Sequence, residues 1–183
     1  MSRNEPHPGD EVVFDSADFR DETTARTVRR ITPLDCRSHH QYFYLNMWTP
    51  DSRSVLVSSN FGDGFYRHYL VDVTSGRALC LTATQKLSSL FGELARDGSH
   101  LLYVSGHELR MRDLATMKSR TLYEQQEPWN GRSVYYGATA DHSRAVMVEI
   151  HKDDVVEAKT GWDAFPVQFE KKPRCRLVEI NLV

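Results

Sequence analysis

Thr49-Pro50-Asp51-Ser52-Arg53, running into Val55-Leu56-Val57, is a short polar turn built on Asp followed by an apolar strand. The same unit returns as Ala95-Arg96-Asp97-Gly98-Ser99 before Leu101-Leu102-Tyr103, and as Thr139-Ala140-Asp141-His142-Ser143 before Ala145-Val146-Met147. A recurrence of about 45 residues is the period of a four-stranded propeller blade. Each copy continues with a second strand, over 69–73, 109–114 and 175–180. In the first two copies a polar turn then leads to a third strand, Leu79-Cys80-Leu81-Thr82 or Arg120-Thr121-Leu122-Tyr123. The third copy reaches Asn181-Leu182-Val183 where its turn and outer strand would follow. The expected fold is therefore all-β: about three blades of a β-propeller, the third incomplete, forming the N-terminal part of a larger ring.

Working outward, residues 1–24 read as a partly disordered leader whose anchors are Val12, Val13, Phe14 and Phe19, and residues 25–183 as the propeller segment. Thr27-Val28-Arg29-Arg30-Ile31-Thr32-Pro33 alternates apolar and polar residues and ends on proline, as a half-buried strand does. It is expected to be an outer strand that finds its partners only in strands arriving later in the chain. The innermost strand of the first blade is expected over 40–48, from its alternation and aromatic content. A glycine-rich loop, Asn60-Phe61-Gly62-Asp63-Gly64, joins the next two strands. An insertion at about 152–173 carries Trp162, Phe165 and Phe169 and is expected on one rim.

Composition narrows the function. The chain is 40% hydrophobic and 26% charged, with a net charge of -2 and basic residues scattered singly or in pairs. That pattern points away from nucleic acid and membrane surfaces as partners. No stretch approaches the roughly 20 apolar residues of a membrane span, and Met1 to Asp10 lacks the apolar core of a secretory signal. Cys36, Cys80 and Cys175 are odd in number and far apart, which favours reduced thiols and a cytoplasmic location.

Two stretches could carry chemistry. In Ser38-His39-His40-Gln41-Tyr42-Phe43-Tyr44 the start of the innermost strand would face the central channel. There His39, His40, Tyr42 and Tyr44 could supply hydrogen bonds and stacking surface for a polar ring. His39 and His40 point to opposite faces of a strand, so they are not expected to share a metal ion. In Glu149-Ile150-His151-Lys152-Asp153-Asp154, alternation would put Glu149, His151 and Asp153 on one face able to hold a divalent cation; the competing reading is a solvated, charged strand end. There is no phosphate-binding glycine loop, paired-cysteine zinc spacing or G-x-S-x-G elbow.

In serial order, Val28 to Pro33, His39 to Tyr44, Thr49-Pro50-Asp51, Asn60 to Gly64 and Tyr69 to Val73 resemble the start of the oligogalacturonate lyase family. So do Leu81-Thr82, Phe91-Gly92, Tyr103-Val104, Leu122-Tyr123, Trp129 with Gly131, Glu149-Ile150, Trp162, Phe165 and Pro173 to Leu177. The resemblance implies a seven-bladed, TolB-like propeller that cleaves short oligogalacturonides by β-elimination in pectin breakdown. A base removes the C5 proton of a uronate, and a divalent cation, commonly manganese, stabilises charge at its carboxylate. It implies that the catalytic and metal-binding residues lie beyond Val183, so that no catalytic or metal ligand is assigned within this chain, and that the chain alone is inactive. Its match to the His39 stretch makes His39, His40, Tyr42 and Tyr44 the candidate oligogalacturonide-binding residues. Open blade faces are expected to promote self-association. The alternatives are a noncatalytic TolB-like binding module and the propeller domain of a prolyl-oligopeptidase-type hydrolase.

Overall fold

The computed structural model describes residues 5–83, 91–155 and 170–182, and of residues 133, 134 and 136 the backbone alone. Three antiparallel sheets follow one another along the chain. The first contains β1 (Glu11–Val13), β4 (Ser38–His40), β5 (Ser54–Ser59), β6 (Arg67–Asp72) and β7 (Arg77–Cys80), in the spatial order β1-β7-β6-β5-β4. The second is β8 (Gly92–Leu94), β9 (His100–Ser105), β10 (Glu108–Asp113) and β11 (Ser119–Glu124), each strand beside its sequence neighbour. The third is β12 (Arg132–Ala138), β13 (Arg144–Ile150) and β14 (Cys175–Asn181). These are successive blades of a propeller, with three strands in the last among the described residues. Between β1 and β4 lies a separate hairpin, β2 (Ala17–Arg20) with β3 (Thr27–Arg30).

Side-chain alternation stacks the sheets. Along β9, Leu101 and Tyr103 pack with Leu56, Leu81 and Leu94 between blades one and two, while Leu102 and Val104 pack with Tyr135, Ala145, Met147 and Ile180 between blades two and three. Successive residues of a strand point to opposite faces, so one middle strand feeds two cores. Truncating a buried leucine in such a core costs roughly 2–5 kcal/mol, well above what a single turn contributes.

The turns set the register of each blade. Asp51 accepts hydrogen bonds from Thr49 Oγ1 at 2.7 Å and Arg53 N at 3.0 Å, Asp97 from Ser99 N at 2.9 Å, and Asp141 from Thr139 Oγ1, Ser143 N and Ser143 Oγ at 2.6, 3.0 and 2.8 Å. These bonds hold all three carboxyls below the usual carboxylate range, Asp141 at about 2. The residue after each Asp is left-handed: Ser52 at φ 58, Gly98 at φ 74 and His142 at φ 52.

Three expectations are corrected. The segment before residue 25 is part of the sheet where it is described: β1 pairs with β7, and Phe14 is buried against Phe61 and Tyr69. Two of the four anchors suffice, because Phe14 and Val12 share one face of the first blade with Val55, Val57 and Val71, while Val13 and Phe19 stay exposed. Second, β3 already has a partner, β2, and Arg29 of β3 binds Asp18 of β2 through Nε at 2.6 Å and Nη2 at 2.8 Å. Third, the innermost strand of blade one is Ser38–His40 and not 40–48; pairing resumes only at the Trp48–Val55 bridge. Most of the insertion, residues 156–169 with Trp162, Phe165 and Phe169, lies outside the described residues.

Two stability measurements follow. A Cβ on Gly98 would lie 3.0 Å from Pro50 Cδ at a left-handed φ. Gly98→Val is expected to lower unfolding free energy by about 2 kcal/mol in a denaturant titration. His68 is fully buried with both ring nitrogens lacking a hydrogen-bond partner among the described residues, and burial lowers its pKa from 6.5 to about 4. Between pH 6.5 and 4 the unfolded chain takes up a proton that the folded chain refuses, so stability falls as pH drops through that window, by about 3 kcal/mol. Thermal melts at pH 7 and pH 4.5 are expected to differ by less in His68→Leu than in the parent.

Candidate functional site

The break in the innermost strand is caused by residues that reach into the neighbouring blade. Gln41 is fully buried; its Oε1 accepts from Gly92 N at 2.6 Å and its Nε2 donates to Ser58 Oγ at 3.4 Å. Five residues on, Asn46 O accepts from Leu94 N at 2.9 Å, and Asn46 Nδ2 donates to Leu94 O at 2.9 Å. Both contacts stitch blade one to β8. The chain between them is closed by a turn, Leu45 N to Tyr42 O at 2.8 Å, and Leu45 itself is buried in the core between blades two and three. Tyr42, Phe43 and Tyr44 are thereby pushed outward. Tyr42 lies with ring centroids 4.8 Å from Phe43, 4.9 Å from Tyr44 and 5.5 Å from Phe91, and Phe43 keeps 79% of its surface exposed.

The two histidines stand at the start of this stretch. His39 Nε2 is 3.1 Å from Tyr66 Oη, with the two rings 5.5 Å apart. Tyr66 belongs to the 60–66 loop, which is fixed at both ends. Asn60 Oδ1 accepts from Arg37 N at 2.7 Å, and the fully buried Arg67 grips both oxygens of Asp63 at 2.7 and 2.8 Å. That two-point ion pair holds the Asp63 carboxyl down at about 2. His40 Nδ1 bonds to the Gln41 carbonyl, which can only accept, so the neutral ring carries its proton on Nδ1 and its lone pair on Nε2.

The four candidate residues are therefore divided. His39 and His40 lie level with Ser58 and Val57 on β5, whereas Tyr44 lines a cleft beside Trp48, which bridges Val55. The offset from residue 58 to residue 55 is roughly 10 Å of strand. The cleft, of about 420 Å³, is bounded by Tyr44, Asn46, Trp48 and Thr49 of blade one, Glu93 and Arg96 of blade two, and Thr139 of blade three.

Glu93, in the lining, is the first member of a polar chain that runs behind the cleft. Glu93 Oε2 accepts from Tyr135 Oη at 2.6 Å and Ala138 N at 2.9 Å, and Glu93 Oε1 lies 3.8 Å from His142 Nε2. His142 Nδ1 is 3.1 Å from His100 Nε2, and His100 Nδ1 is 2.8 Å from Ser99 Oγ. Burial and the Glu93 carboxylate raise the Tyr135 pKa well above its ordinary value, so that phenol stays protonated. Burial and the neighbouring His142 lower that of His100. Sequence reading missed this group because Glu93, His100 and His142 are dispersed over two repeats; the signal was His142, a bulky residue at a position where its equivalents are Ser52 and Gly98.

The Glu149 stretch is built differently from its expected alternation. β13 ends at Ile150, and His151 instead caps a 3₁₀ turn over Lys152–Asp154, accepting from Asp153 N at 3.3 Å. Glu149 is fully buried and is held by Arg176 Nε at 2.6 Å and Tyr123 Oη at 2.8 Å, with the Arg176 guanidinium 4.8 Å above Trp129. His151 Nδ1 and Asp153 Oδ2 lie 3.6 Å apart, but Glu149 is committed to Arg176 and Tyr123, and among the described residues no three His, Cys, Asp or Glu side chains gather to hold a metal ion. These residues do not by themselves fit the cation that the resemblance implies.

The comparisons agree with the architecture. An oligogalacturonide lyase of Pectobacterium atrosepticum is 30% identical over 176 residues, 96% of this chain and 45% of its own length. The crystal structure of an oligogalacturonate lyase from Vibrio parahaemolyticus superposes with a TM-score of 0.81 at 29% identity, covering 96% of this chain and 46% of that one. A solved oligogalacturonate lyase in complex with manganese gives a TM-score of 0.83 at 31% identity, with 95% and 46% covered. The chain spans about half the length of the relatives it matches. With residues 7–183 also matching the family description for oligogalacturonate lyase, the chain belongs to the oligogalacturonate lyase family.

Proposed function

We propose that these blades form part of the sugar-binding wall of an enzyme that cleaves short oligogalacturonides by β-elimination. The observation that carries this reading is the family match over residues 7–183 together with a shared blade geometry. The groups that move the C5 proton and hold a divalent cation such as manganese are assigned to chain outside the described residues. A seven-bladed ring is the expected frame. A cytoplasmic location is part of this reading, since Cys80 and Cys175 form no disulfide among the described residues and suit a reducing compartment.

Within this wall His39, His40, Tyr42 and Tyr44 act as binding residues. The Tyr66 contact orients the His39 ring, the lone pair on His40 Nε2 can accept from a sugar hydroxyl, and the exposed Tyr42 ring offers a flat apolar face to a pyranose. Calorimetric titration with digalacturonate is expected to show binding, with Kd about tenfold weaker in His39→Ala and in Tyr42→Ala, equivalent to about 1.4 kcal/mol each. Unchanged affinity in both variants would remove these residues from the reading. With digalacturonate and manganese together, the chain alone is expected to give no rise in ultraviolet absorbance from unsaturated products. Turnover would place the proton-transfer groups inside these residues.

Blade three carries an apolar patch of its own. Val146, Val148 and Leu177, the last 72% exposed, flank Gly137 to Thr139 along one face. In a solution of this chain alone, a second copy is the surface available to cover that face. Light scattering is expected to show association that Leu177→Glu abolishes; a monomer at all concentrations would count against it.

A further inference from the structure

The cleft at the turn end of the blades is not among the residues that sequence reading singled out, Tyr44 apart. All three copies of the Asp turn contribute to it: Thr49 and Pro50 from the first, Arg96 from the second, Thr139 and Ala140 from the third. Its volume of about 420 Å³ is in the range of small-ligand sites, roughly 300–1,000 Å³. Two aromatic residues flank it, Tyr44 and Trp48, with 47% and 45% of their surfaces exposed. Such half-exposed rings present apolar faces to solvent, which is the surface that the C–H face of a pyranose covers. Asn46, Thr49 and Thr139 add hydrogen-bonding groups for hydroxyls.

Charge decides which sugar. Arg96 is exposed and has no ion pair or hydrogen bond among the described residues, although a planar guanidinium binds a carboxylate with two parallel bonds. The other charged group of the lining, Glu93, is buried, and its Oε2 is committed to Tyr135 and Ala138. The exposed charge at the cleft is therefore cationic, the Glu93 carboxylate being engaged with Tyr135 and Ala138 and lying 3.8 Å from His142 Nε2. An anion without a ring would leave the aromatic walls unused, and a neutral sugar would leave Arg96 unpaired.

We propose that this cleft is a further subsite for one uronic acid unit, adjoining the His39 stretch through Tyr44, whose ring lies 4.9 Å from that of Tyr42, with Trp48 and Tyr44 as ring platforms and Arg96 as the carboxylate clamp. The proposal rests on the oligogalacturonide reading given above. A subsite beyond the turn that follows the innermost strand would let a longer oligomer reach from the His39 stretch to the Asp turns.

The test is a two-dimensional NMR titration of the chain with digalacturonate and, in parallel, with neutral galactobiose. The Trp48 indole N–H resonance is identified by its loss in Trp48→Phe. Digalacturonate is expected to shift it saturably, galactobiose at least tenfold more weakly. Arg96→Gln is expected to weaken the digalacturonate effect about tenfold; Arg96 is exposed and the Asp97–Ser99 bond does not involve its side chain, so this variant keeps the fold. An unmoved Trp48 resonance, a shift indifferent to Arg96→Gln, or equal response to the neutral sugar would each overturn the proposal. If Trp48 is silent while calorimetry still detects binding that His39→Ala weakens, the cleft alone is refuted; if neither signal appears, the oligogalacturonide reading falls with it.

Discussion

Every blade has to bury both of its faces, and the period of two along the middle strands is what makes this workable. Leu101 and Tyr103 serve one interface and Leu102 and Val104 the next, so a one-residue slip of β9 would exchange two cores at once. The Asp turns prevent such a slip. By fastening the entry to β5, β9 and β13 with the same side-chain bonds, they hold each strand in the register at which its neighbours fit. The stability of the stack thus comes from leucine and valine contacts, while its uniqueness comes from short polar turns.

Much of that architecture could be read before any coordinates. The three turns, the strands that follow them and the second strands at 67–72, 108–113 and 175–181 obey local rules of alternation and turn chemistry. What escaped was governed by distant partners. Nothing local marks Gln41 as the residue that leaves its own strand to accept from Gly92, and so the aromatic run after it looked like a continuous strand. Val12-Val13-Phe14 likewise reads as a short apolar run in a leader until the face of blade one is there to receive Val12 and Phe14.

The candidate site follows the same division. His39 and the aromatic run were conspicuous in the sequence, being dense in side chains that bind sugars. The cleft was not, because its lining is gathered from three repeats in which the turn residues look like punctuation. Trp48, Arg96 and Thr139 come together only once the blades have been stacked. The partly buried Glu93–His142–His100 chain is of the same kind: each member is ordinary in its own repeat, and their meaning lies in being neighbours.

The N-terminal segment gives this stack a direction. Phe14, Val12 and Ile31 cover the face of blade one that blade two does not, and all of them precede β4 to β7 in the chain. The second face of blade one is covered by residues that come immediately after it. During synthesis from the N-terminus, each blade therefore meets surfaces already made on one side and waits on only the next 40 or so residues for the other. Assembly can proceed in the order of translation, with a single unfinished surface moving forward along the chain instead of many waiting for the whole ring to be complete.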